Sequence, residues 1–110
     1  MTILSDKEAL YEKYRKESER LHKEIMAEKI AMLKPMVNKA YYCKDFSTYF
    51  FVTHIAENKT VPFGLSITRS EIMDDWMVNP ERWVEIPVEA FLDAMDRFVA
   101  ERKEKIRALR

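Results

Sequence analysis

The fold turns on one stretch, Ser47-Thr48-Tyr49-Phe50-Phe51-Val52-Thr53-His54-Ile55-Ala56. Side chains of a strand alternate between its two faces. Here Thr48, Phe50, Val52, His54 and Ala56 share one face, and Tyr49, Phe51, Thr53 and Ile55 share the other. Both faces are largely apolar or aromatic, so the pattern predicts a central strand that needs cover on both sides. Working outward, Glu57-Asn58-Lys59-Thr60 is polar and turn-forming. Residues 61–69 then alternate more cleanly, with Val61, Phe63, Leu65 and Ile67 opposed to Pro62, Gly64, Ser66 and Thr68. The two runs predict a β-hairpin. Ala40-Tyr41-Tyr42-Cys43 predicts a strand before it and residues 82–86 a short one after it. Residues 70–81, with Asp74-Asp75-Trp76 and the turn Asn79-Pro80, read as an irregular loop within the 39–86 sheet region.

Long helical patterns flank the sheet. In residues 5–34, Leu10, Tyr14, Leu21, Ile25 and Met32, joined by Tyr11, Met26, Ile30 and Leu33, recur at spacings of three, four or seven. Ser5 and Glu8 have the spacing of a capping box, and Lys34 before Pro35 marks the stop. Such a helix is roughly 45 Å long, more than a compact domain of this size is wide. In residues 87–110, Pro87 opens a second helix and Glu89 suits its positive end. Val88, Phe91, Leu92, Met95, Phe98 and Val99 form a stripe fit to cover a sheet, beyond which only Ile106 and Leu109 interrupt the charges. The expected architecture is a single α+β domain spanning 1–110: a long N-terminal helix, an antiparallel sheet of three to four strands, and a long C-terminal helix. The two helices are expected to pair antiparallel as a stalk, Leu10 and Tyr14 facing Ile106 and Leu109, or to pair between two chains.

Composition removes several chemistries. The 110 residues carry 19 Lys+Arg and 19 Asp+Glu, so there is no net charge to draw nucleic acid or an anionic membrane. Gly64 is the only glycine, which excludes the glycine-rich loops that cradle nucleotide phosphates. Mid-strand, it also predicts a bend or a close backbone approach. A single cysteine, Cys43, allows no intrachain disulfide or multi-cysteine metal site. No transmembrane span or secretory signal is visible, and a reducing cytoplasm is the expected compartment. No cofactor is expected.

The segment from Tyr41 to Phe98 carries a Tyr41-Tyr42 strand, the aromatic Tyr49-Phe50-Phe51-Val52, then Gly64-Leu65-Ser66-Ile67 and an acidic-aromatic turn. Glu85-Ile86-Pro87-Val88-Glu89-Ala90-Phe91 then opens the last helix. In this it resembles small uncharacterised α+β proteins of phages and integrated mobile elements. The resemblance implies a mobile-element accessory protein, such as an assembly factor or an inhibitor of a host defence system, and brings no catalytic residues with it.

Three functions are in view. A non-enzymatic protein-interaction module would bind another protein through Trp76, Trp83, Asp74 and Asp75 and through the helices, Tyr14 included, since tryptophan and tyrosine dominate binding hot spots. A single-stranded nucleic-acid module would stack bases on Tyr41, Tyr42, Tyr49 and Phe51 beside Lys44, against which stands the acidic excess of the sheet region. A small metal-dependent hydrolase would need His54 together with Glu71, Asp74, Asp75, Glu81 and Glu85, whose spacing fits no calcium loop. The first is the expectation, with a homodimer through the long helices as one form of it.

Overall fold

In a computed structural model, the backbone is described for residues 3–110 and the side chains for residues 5–110. Helix α1 (Ile3–Leu33) leads through a 3₁₀ turn, Lys34–Met36, into β1 (Ala40–Cys43), β2 (Thr48–Ala56) and β3 (Val61–Ile67). Strand β4 (Ile72–Trp76), a second 3₁₀ turn at Pro80–Arg82, β5 (Val84–Ile86) and α2 (Val88–Ala108) complete the chain. The sheet has five antiparallel strands in the order β4-β3-β2-β1-β5. β2 is central, as its two apolar faces require.

The additional strand is β4, inside the region read as an irregular loop. Asp74 and Asp75 disfavour a strand, but β4 is an edge strand, where one side is open to water and charge is tolerated. Its register on β3 pairs Ile72 with Ile67, Asp74 with Leu65 and Trp76 with Phe63.

Two layers cover the sheet. α2 lies on one face, where Phe91 and Ala94 are buried with Ala40 and Ile67 and are flanked by Tyr49, Phe51, Leu65, Ile86, Met95 and Phe98. Its stripe is wider than this contact: Val88, Leu92 and Val99 stay substantially exposed. The other face is covered without a helix. Residues 77–83 run from β4 at one edge to β5 at the other as a strap. Met77 on it is buried with Tyr41, Phe50 and Val52, and Trp83 packs beside them. The Met77 N–H donates to the Pro62 carbonyl (2.8 Å), which seats the start of the strap.

The lone glycine sits opposite a β-bulge. The β2–β3 register shifts between Val52 and His54, and Gly64 pairs with Val52 just before the shift. A Cβ at Gly64 would run into the Phe51 carbonyl oxygen and lie 2.9 Å from Thr53 N. The expected close approach is therefore present. The bulge also breaks the period of two, so His54 leaves the face of Phe50 and Val52 and stands opposite Phe63 on the α2 side.

The stalk does not form within one chain. The last turn of α1 meets the Thr60–Val61 end of the sheet, where Met32 and Leu33 line a cleft with those residues and Pro80. α2 runs toward the opposite end, where Phe98 and Glu101 border Ile67 and Arg69 and the Arg102 guanidinium donates to the Ser70 carbonyl. Helices leaving opposite ends cannot pair their tails. Leu10, Tyr14, Ile106 and Leu109 accordingly remain 50, 60, 59 and 87% exposed. The radius of gyration is 22.0 Å and the long axis 83 Å, against about 13 Å for the radius of a compact domain of this length. Helix α1 starts at Ile3, so Ser5 falls within its first turn and not before the helix as the capping-box spacing suggests.

Gly64→Ala should lower stability by about 3 kcal/mol or prevent folding, because the atom in its way is backbone and cannot rotate aside. Urea denaturation midpoints of the two chains measure this.

Candidate interaction surfaces

The strap is anchored by Trp83. Its indole Nε1–H donates to the Val78 carbonyl (2.7 Å), closing the strap on itself. Its ring meets Phe50 edge-on at 5.6 Å and Phe46 at 6.4 Å. Between the strap and the sheet a cavity of about 270 Å³ opens to the surface, lined by Phe46, Thr48, Phe50, Ser66, Thr68, Asp75, Trp76, Val78 and Trp83. Ser66 Oγ is buried without a hydrogen-bond partner at its wall. The cavity is mainly apolar and accepts an apolar group; it gathers no set of reactive side chains.

Trp76 behaves differently. It is 44% exposed at the end of the edge strand. Phe63 lies edge-on to it at 6.2 Å and the Lys59 ammonium sits 4.2 Å from the centre of its ring. With His54, 5.0 Å from Phe63, the three rings form a row across β2, β3 and β4. The bulge creates this row by turning His54 to the α2 side, and a strict period of two in the sequence hides it. Thr53 Oγ donates to the Phe63 carbonyl (3.1 Å) and lies 3.0 Å from His54 Nδ1, so the histidine ring is held from its own strand. Asp75 accepts from the Trp76 N–H (2.8 Å), and Asp74 points to solvent on the face opposite Asp75.

The four aromatics grouped as a base platform do not share one face. Tyr41 and Tyr42 are consecutive on β1 and so point apart. Tyr41 is buried beneath the strap. Tyr42 and Tyr49 lie tilted against each other on the α2 side, their ring centres 4.8 Å apart, and Phe51 is covered there by Phe91 at 5.8 Å. Lys44 lies exposed in the β1–β2 turn. Among the described residues, no three of the His, Cys, Asp and Glu side chains come together where they could hold a metal ion, and Glu71, Asp74, Asp75, Glu81 and Glu85 stay dispersed along the strap side and edges. Cys43 is buried.

Helix α1 carries a long run of exposed apolar side chains. Leu10, Tyr11, Tyr14, Leu21, Ile25 and Met32 are all at least half exposed along it. Among its described side chains, only Met26, Ile30 and Leu33, near its end, are partly buried. The helix supports itself through local ion pairs: Arg15 bonds both Glu12 (2.8 Å) and Glu19 (3.1 Å). The hydrogen bond from Arg15 holds the Glu12 carboxyl below the usual carboxylate range. Exposed pairs of this kind are screened by water and favour the helix only slightly, so they do not explain its length.

Comparison of the chain with family models, with curated proteins and with solved structures gave no match. No helix among the described residues is long and apolar enough to cross a membrane.

Trp83→Ala should cost about 3 kcal/mol, because it uncovers Phe50 and opens the strap, whereas Trp76→Ala should cost about 1 kcal/mol. Thermal melts of the two variants distinguish them. Burial, with the nearby Glu85 charge adding to it, raises the Tyr41 phenol above its ordinary value. Unfolded tyrosine gives up its proton first, near pH 10, so stability should hold below that pH and fall above it. Tyr41→Phe should flatten this alkaline loss in urea melts at pH 9 and pH 11.

Proposed function

We propose that the chain is a non-enzymatic protein-interaction module, an accessory factor of the phage or mobile-element kind, acting in assembly or as an inhibitor of a host defence system. One observation carries the reading: the sheet is covered by α2 and the strap, and α1 remains a long helix with an exposed apolar stripe. A stripe of Leu, Ile, Met and Tyr in water is unfavourable unless a partner covers it. Helix-in-groove or helix-on-helix association supplies that cover. The β4 rim, where Trp76 and Asp74 are exposed and Asp75, on the face opposite Asp74, lines the cavity, offers a second contact whose aromatic and acidic character suits a partner with basic side chains. Trp83 supports this rim from beneath and Tyr14 belongs to the α1 stripe.

Affinity capture from the native host with the intact protein and with a Tyr14→Ala/Trp76→Ala variant tests the reading. The intact chain should recover a discrete protein partner, and the variant should lose it at least tenfold while keeping its circular dichroism. Identical partners at identical yields would discard both surfaces. Strongly salt-dependent binding of a random single-stranded oligonucleotide by the intact chain would favour a nucleic-acid module instead.

A further inference from the structure

We propose that the cavity between the strap and the sheet is a binding site for a small aromatic amine, a single ring carrying a hydroxyl at one end and a short ammonium arm at the other. Such a ligand sits apart from the exposed stripe of α1, so its binding is independent of the protein-interaction reading. Three features of the lining carry it.

The first is room of a suitable kind. The cavity holds about 270 Å³, and Phe46, Phe50 and Trp83 supply rings to its wall, with Val78 beside them. An apolar cavity of roughly 150 Å³ is enough to take up benzene, so this one accommodates a ring together with a substituent. Trp83 already meets Phe46 at a tilt and Phe50 edge-on, and a further ring extends the same cluster.

The second feature is Ser66. It stands beside Phe50 on the strap face of the sheet, is only 3% exposed, and its Oγ has no hydrogen-bond partner. Thr48 and Thr68, also in the lining, have their hydroxyls engaged: Thr48 Oγ1 donates to the Phe46 carbonyl (2.8 Å) and Thr68 Oγ1 to the Glu71 carbonyl (3.2 Å). A buried hydroxyl left unsatisfied is unfavourable, and a ligand hydroxyl supplies the donor or acceptor that it lacks.

The third feature is Asp75, the one charged member of the lining among the described residues. It accepts from the Trp76 N–H, and among the described residues no cation pairs with it. Arg82 of the strap reaches Asp45 instead (3.8 Å), and Lys59 lies over the Trp76 ring. A half-buried carboxylate at an apolar wall favours a cationic group over a neutral or anionic one. The register sets the length of the ligand. Asp75 pairs with Gly64, two residues from Ser66 on the same face, and such diagonal neighbours stand about 7–8 Å apart. A ring with a hydroxyl opposite a short aminoalkyl arm spans that separation.

Isothermal titration of the full chain with tyramine is the test, and a Kd on the order of 0.1 mM is expected. Phenethylamine, which lacks the hydroxyl, should bind about fivefold more weakly, and 4-ethylphenol, which lacks the ammonium group, about tenfold more weakly. Ser66→Ala should erase the first difference and Asp75→Asn the second. Ser66→Ala should also leave the melting temperature of the free chain unchanged or raised, because it removes an unsatisfied group. The comparison of the three compounds uses the unaltered chain and so holds even where a variant fails to fold. No binding at millimolar tyramine, or equal affinity for all three compounds, overturns the proposal, as does a folded Ser66→Ala chain that still prefers the hydroxyl. A peptide with an internal Tyr-Lys pair that displaces tyramine and binds at least tenfold more tightly overturns it as well, giving the cavity to a partner's side chain.

Discussion

The architecture depends on the need to dry both faces of β2. Phe50 and Val52 point one way and Tyr49 and Phe51 the other, and a strand of this composition is unfavourable with either face in water. A helix and a short sheet ordinarily leave one face wet. Here α2 covers one side with Phe91 and Ala94, and an irregular strap covers the other with Met77 and Trp83. Both sides are closed before α1 is counted. Only the last turns of α1 touch the sheet, and the rest of a 31-residue helix is surplus to the core.

A second constraint operates through the backbone. With Gly64 already used opposite the bulge, the positions that call for left-handed geometry fall to other residues: Asn38, Ser47, Thr60 and Asn79 all have positive φ. Asparagine accepts this readily, whereas a β-branched threonine does so under strain. Thr60 closes the β2–β3 turn beside the end of α1, so this strain sits where the projecting helix joins the sheet.

Much of this was legible in the sequence. The helices and four of the strands follow from periodicity and from the proline and turn signals at their ends, and the single mid-strand glycine pointed to the close approach at Phe51 and Thr53. What was not legible has specific causes. β4 escaped notice because Asp74 and Asp75 are acceptable only on an edge, and edge position is a property of the assembled sheet. The face of His54 was misread because one bulged residue inverts everything after it. Helical periodicity gives the faces of α1 and α2 but not the ends of the sheet from which they leave, and it is their departure from opposite ends that keeps the stalk from forming within one chain. Likewise the adjacent tyrosines Tyr41 and Tyr42 suggest one aromatic surface until the pleat separates them. As for the site, the exposed stripe of α1 and the prominence of the two tryptophans could be read directly, but their division of labour, Trp83 as cover and Trp76 at the rim, required the crossing of the strap.

That crossing makes the sheet topologically unusual, because residues 77–83 connect its two outermost strands. In an ordinary meander an edge strand can fray while the remaining strands stay intact. Here, peeling β4 away pulls on Met77, and peeling β5 away pulls on Trp83, so either event exposes Phe50 and Val52 in the middle. The edges are thus coupled through the centre, and the five strands open as one cooperative unit, leaving the outer turns of α1 free to fray and re-form independently.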